Sequence, residues 1–186
     1  MEKFNIDNIL QLTELNSELD CERATSLYGK LRWMEKDDTS LKPIRKYLRT
    51  LINDYEQKAW LETDKISNHQ IEESDKAEEL VFAENSFIQH RKKKIVEKLK
   101  KYGLTQQDLA KILGHRKNYI SELVNGIRPF SRDDLVVIHR LLKIELKYLI
   151  PPFIKAEMTK HINLTLKGLK KTKLKLKKKD VDSITI

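Results

Sequence analysis

Arg116, Lys117, Asn118, Ser121 and Glu122 fall within one short stretch, off the apolar side of a helix that buries Ile120 and Leu123. Their chemistry suits the edges of nucleic-acid bases. Arg and Lys donate to guanine, Asn pairs with adenine, and Glu accepts from cytosine. Gln106 stands at the start of the preceding helix, where unpaired backbone N–H groups and the helix dipole favour a phosphate. Arg128 and the backbone of Asn125 follow the second helix and are placed to hold phosphates beyond it. Tyr119 has two readings of equal weight, packing on the preceding helix or stacking on a sugar.

No competing constellation emerges. His69, His90, His115, His139 and His161 show no ligand spacing, and Cys21 is the one cysteine, so neither a metal site nor a disulfide framework is expected. Asp37-Asp38 and Asp133-Asp134 read as a turn and a helix start. There is no glycine-rich phosphate loop and no nucleophile motif. The expectation is a protein without cofactor and not an enzyme.

The elements that must position these residues are legible between Leu104 and Ile150. Gly103 ends one helix; Thr105 caps the next, with Asp108 three residues on. Leu109, Ala110 and Leu113 form its inner face, and Gly114 begins a tight turn. Asn125-Gly126 stops the second helix. Ser131 with Asp134 repeats the capping pattern, and Leu135, Ile138 and Leu142 set a further helix on the core. Two short helices joined by a glycine turn form a helix-turn-helix.

The run LTQQDLAKILG followed by NYISELVNGIRP resembles the Cro/repressor-type (XRE) helix-turn-helix. Leu104, Thr105, Gln106, Leu109, Ala110, Leu113, Gly114, Ile120, Ser121, Asn125, Gly126 and Arg128 occupy the pattern's positions. The resemblance implies a five-helix domain that binds operator DNA as a homodimer. His115 and Arg116 depart from the pattern, standing where a small apolar residue and Ser/Thr are usual, so a side-chain cap on the second helix is not carried over. A second resemblance joins LRTLINDYEQKAW, an acidic stretch and this domain, and is similar to HigA-type antitoxins. It implies a small basic toxin partner of the RelE fold (HigB-like) and repression of the protein's own operon.

Around this domain the charge is divided. The 186 residues carry a formal +9, but residues 1–86 sum to −7 and residues 87–186 to +16. A basic half neutralises phosphates; an acidic half suits a basic protein partner. Apolar spacing is helical almost throughout, so the chain is expected to be all-α. Ile9, Leu12, Leu15 and Leu19 suggest a first helix. Ala24, Leu27, Tyr28 and Leu31 suggest a second. Ile44 to Ala59, with Pro43 in the first turn, suggest a third ending near Trp60. The expected organisation is an N-terminal helical, toxin-binding region over 1–62, an acidic linker over 63–86, the helix-turn-helix domain over 87–150 and a basic tail over 151–186. The tail holds ten Lys between 155 and 179, and its spacing fits helix, strand or disorder. No apolar run approaches a membrane span and the first residues lack a secretory signal, so a cytoplasmic protein is expected. A free-standing XRE-type or phage-type regulator is the rival reading; an adaptor that has lost DNA binding is a third.

Overall fold

The computed structural model describes residues 6–61, 66–154, 156–169, 174 and 176. Among these there is no strand, in agreement with the all-α expectation. The helices are α1 (Ile6–Ile9), α2 (Glu18–Met34), α3 (Lys42–Trp60), α4 (Asn68–Lys101), α5 (Gln106–Leu113), α6 (Lys117–Val124), α7 (Arg132–Leu142) and α8 (Ala156–Gly168). Short 3-10 turns at Thr39–Leu41 and Leu146–Tyr148 complete them.

The N-terminal region is α1 to α3 wrapped on the first half of α4. One helix across Ile9 to Leu19 is not what forms. The chain leaves the helix after Ile9 because Ser17 caps a new one, accepting from the Asp20 backbone N–H at 3.2 Å. Leu15 is still buried, from an irregular segment held by the Tyr47 hydroxyl, which donates to the Leu12 carbonyl at 2.6 Å. In α3, Pro43 occupies the first turn and Leu48, Leu51 and Ile52 are buried.

The expected acidic linker needs correction. Residues 63–65 lie outside the described residues, but from Asn68 onward this stretch is the first half of α4, a helix of 34 residues. Ser67 caps it. Ala77, Val81, Glu84, Ile88, Arg91, Ile95 and Leu99 form one buried stripe at spacings of three and four. Glu84 and Arg91 sit where apolar residues would normally be, which interrupts the hydrophobic period without interrupting the helix. The exposed face carries pairs such as Glu72–Lys76 at 3.3 Å.

Two apolar cores result. The first gathers Ile9, Ala24, Leu27, Leu31, Leu48 and Ile52; the second gathers Ile95, Leu99, Leu109, Ile120, Leu123, Ile138, Leu142 and Leu149. Ile127, on the loop after α6, belongs to the first core, not the second. Burying such a side chain stabilises by about 1.5–3 kcal/mol, so this one residue pins the N-terminal helices to the end of α6. In the tail, α8 bears out the helical reading for residues 156–168; residues 155, 170–173, 175 and 177–186 lie outside the described residues.

Candidate nucleic-acid interface

Local sequence sets the geometry of α5 and α6. Thr105 and Asp108 form a reciprocal capping box, and Gly114 ends α5 at φ +71°. The next helix starts at Arg116 without a side-chain cap, in line with its departure from the XRE pattern. His115 fixes the turn another way. Its Nε2 lies 2.9 Å from Asp134 Oδ1, and its ring lies 4.9 Å from that of Tyr119. Asp134 is itself the capping-box residue of α7, so one carboxylate ties the turn between α5 and α6 to the start of α7. At the other end of α6 the Ile127 N–H donates to the Glu122 carbonyl (2.9 Å) and the Gly126 N–H to the Leu123 carbonyl (3.2 Å). That closing pattern requires the left-handed φ of +71° at Gly126.

Arg116, Lys117 and Asn118 are exposed together at the first turn of α6. Arg116 and Lys117 make no ion pair among the described residues. Gln106 is half-buried as the first residue of α5, and Ser121 is half-buried on α6. The other expected contacts are placed differently. Glu122 is 7% exposed and forms an ion pair with Arg128, which also pairs with Asp7 of α1. The expected role of Glu122 as a base reader is therefore corrected: its carboxylate is turned inward and engaged. The Arg128 guanidinium is likewise committed in this structure. Although burial disfavours its charge, Asp7 and Glu122 hold it more firmly protonated than usual.

The Asn125 side chain is also occupied. Its Oδ1 accepts from Lys92 Nζ at 2.8 Å and its Nδ2 donates to the Ser121 carbonyl at 2.8 Å. The Asn125 backbone N–H donates to the same carbonyl at 3.0 Å. Tyr119 packs on the second core, with the Arg128 guanidinium 5.2 Å from its ring centre.

Sequence reasoning missed Asp7, Asp38, Lys92 and the inward role of His115. Asp38 lies in the corner between α2 and α3, and its Oδ2 accepts from Asn118 Nδ2 at 2.9 Å. The Ser40 hydroxyl, then its backbone N–H and Asn118, hold the Asp38 carboxyl below the usual range despite slight desolvation. Two carboxylates of the N-terminal region thus touch two of the residues assigned to DNA. A phosphate approaching that face meets negative charge. No pattern within α6 could have signalled this, because both partners are about 80 residues or more away in sequence.

Among the described residues no group of side chains could hold a metal ion, and no helix is long and apolar enough to cross a membrane. Residues 95–149, under a third of the chain, match the family described as Helix-turn-helix. No match was found among curated proteins or solved structures. The matched segment holds the last two turns of α4 and all of α5, α6 and α7, the elements that display Arg116, Lys117 and Asn118. The chain therefore carries an XRE-type helix-turn-helix, the DNA-binding domain of a transcriptional regulator.

Proposed function

We propose that the protein is a cytoplasmic operator-binding repressor that acts as the antitoxin of a small basic, HigB-like toxin and represses its own operon. The observation that carries DNA recognition is the exposed cluster Arg116, Lys117 and Asn118 at the first turn of a helix anchored at both ends. As a homodimer, two such helices would enter major-groove segments about 34 Å apart. Gln106, Asn125 and Arg128 would position the backbone, and Lys117 and Asn118 would read bases, with Arg116 and Ser121 beside them. Engaging DNA through Arg128 and Asn118 first requires release of Asp7 and Asp38.

The toxin reading rests on the N-terminal region, residues 1–62. That region sums to −2 and residues 68–84 of α4 to −5, and Phe82 is left exposed (73%) one turn from the exposed Glu78 and Glu79. A large aromatic left on an acidic surface suits a basic protein partner. Co-purification of the tagged chain, with mobility-shift assays on its own promoter, tests both parts. A stoichiometric small basic protein and a shifted promoter support the reading. A protein recovered alone with its promoter refutes the toxin role and leaves a free-standing regulator, a reading that the cavity described next favours.

A further inference from the structure

Between α2, α4 and the loop that follows α6 lies a cavity of about 250 Å³. Arg91 of α4 lines it and is 6% exposed. Its Nε has no hydrogen-bond partner, and no carboxylate among the described residues pairs with it. Its guanidinium lies 5.7 Å from the Phe87 ring and 5.1 Å from the Phe130 ring. Ring faces attract the cation but cannot accept the N–H groups at its edge. Burial alone pulls its pKa down from 12.5 to about 10.

Lys30 of α2 lines the same space, and burial pulls its pKa from 10.5 to about 8, against the opposite pull of Glu84. Glu84 is the carboxylate among the described lining residues, and both its oxygens are taken by Arg23, at 2.5 and 3.1 Å. The site thus holds more buried positive charge than it can neutralise. A buried guanidinium without a counter-ion is unfavourable, and a bound anion would supply one.

We propose that this cavity binds a small organic carboxylate. Its charged end would lie between Lys30 and Arg91, since a planar carboxylate matches the guanidinium fork. Its apolar body would rest on Leu27, Ile88, Ile127 and Phe130, a lining that suits an organic acid better than inorganic phosphate. The ligand bridges α2 to the helix-turn-helix domain. Occupancy therefore favours the docked arrangement in which Asp38 holds Asn118, and lowers operator affinity. The site itself is independent of the toxin reading; only its effect on DNA rests on the operator reading.

The test is a titration of the full chain with sodium benzoate, using benzamide as the neutral isostere and sodium phosphate as the inorganic anion. Binding is followed by calorimetry and by the arginine Nε–Hε signals in nitrogen-15 spectra. Saturable benzoate binding at about 1 mM or tighter, moving the Arg91 signal and absent for benzamide, supports the site. Arg91→Met and Lys30→Met, each checked for native helicity, should each weaken it at least tenfold. No saturable benzoate binding, equal binding of benzamide, or binding of phosphate alone overturns the proposal. Benzoate that binds without changing operator affinity leaves the pocket standing and overturns its control of DNA. A chain that binds no promoter but binds benzoate fails the operator reading alone.

Discussion

Gly114 and Gly126 offer a matched pair of perturbations. Both adopt φ +71°, so an added Cβ strains either backbone by roughly 1–2 kcal/mol. Their surroundings differ. A Cβ at Gly114 meets nothing within 4 Å, whereas one at Gly126 would sit 2.7 Å from Ile88 Cγ2, 2.8 Å from Cδ1 and 3.1 Å from Cγ1. Ile88 is buried on α4, so it has little room to withdraw. Overpacking of this kind costs roughly a further 1–3 kcal/mol. Gly114→Ala should therefore destabilise by about 1–2 kcal/mol and Gly126→Ala by about 2–5 kcal/mol. Thermal melts followed by circular dichroism should separate the two variants by roughly 2–12 °C for a chain of this size. The difference between variants isolates the Ile88 contact, because the backbone term is common to both. Equal losses would refute the seating of α4 against the end of α6, and with it the placement of the N-terminal helices beside the DNA-binding face.

Other outcomes follow from the same geometry. Asp7→Asn combined with Asp38→Asn should raise operator affinity about threefold to tenfold by removing two negative charges from the α6 face, measured by fluorescence anisotropy; unchanged or weaker binding would count against the masking contacts. Lys117→Ala should weaken promoter binding by about 1–3 kcal/mol and relax the preference at one base position, measured by anisotropy on single-base variants of the promoter site; unchanged affinity and preference would remove Lys117 from the base readers. Lys30 has a folded pKa below its ordinary value, so charging it opposes folding. Glu84, Arg23 and Arg91 are the charged groups beside it. Lys30→Met should exceed the wild type in stability at pH 7 by at most about 3 kcal/mol. Between about pH 8 and 10.5 the unfolded wild type binds more protons than the folded one, so its stability rises and the gap closes. Comparing the two chains cancels Cys21, whose thiol is pushed up to about 11 by burial and then by Glu56, Glu18 and Glu22 and which acts in the opposite sense above pH 9; a gap constant with pH would contradict the assigned burial of Lys30.

What was legible in the sequence was local. The capping boxes at Thr105–Asp108 and Ser131–Asp134, the glycine stops and the short apolar runs of α5 to α7 are each written within a few residues, and all appear in the structure. What was not legible depends on distant partners. Glu122 looks like a base reader because its own helix offers no reason to bury a carboxylate; the reason is Arg128 on the next loop, whose guanidinium also pairs with Asp7. The first half of α4 is hidden because its buried stripe is only Ala77, Val81 and Glu84, and a buried carboxylate is a position that an apolar count cannot register. Arg23 of α2, about 60 residues away, satisfies that carboxylate. Leu12 and Leu15 were read as one helix with Ile9 because apolar spacing persists across a segment that the Ser17 cap and the Tyr47 hydroxyl hold irregular.

The length of α4 has a mechanical consequence. A 34-residue helix is roughly 51 Å long and turns through about 100° at each residue. Its first half seats α2, and its second half is the opening helix of the DNA-binding domain. The two halves therefore share one torsional phase, as two keys cut on the same shaft do. Inserting or deleting a single residue between Val81 and Arg91 would swing one body about 100° around the other, carrying Asp38 away from Asn118 and drawing Ile127 out of the first core. Angular register along α4, more than the affinity of any one contact, sets whether the acidic corner can reach the recognition helix at all.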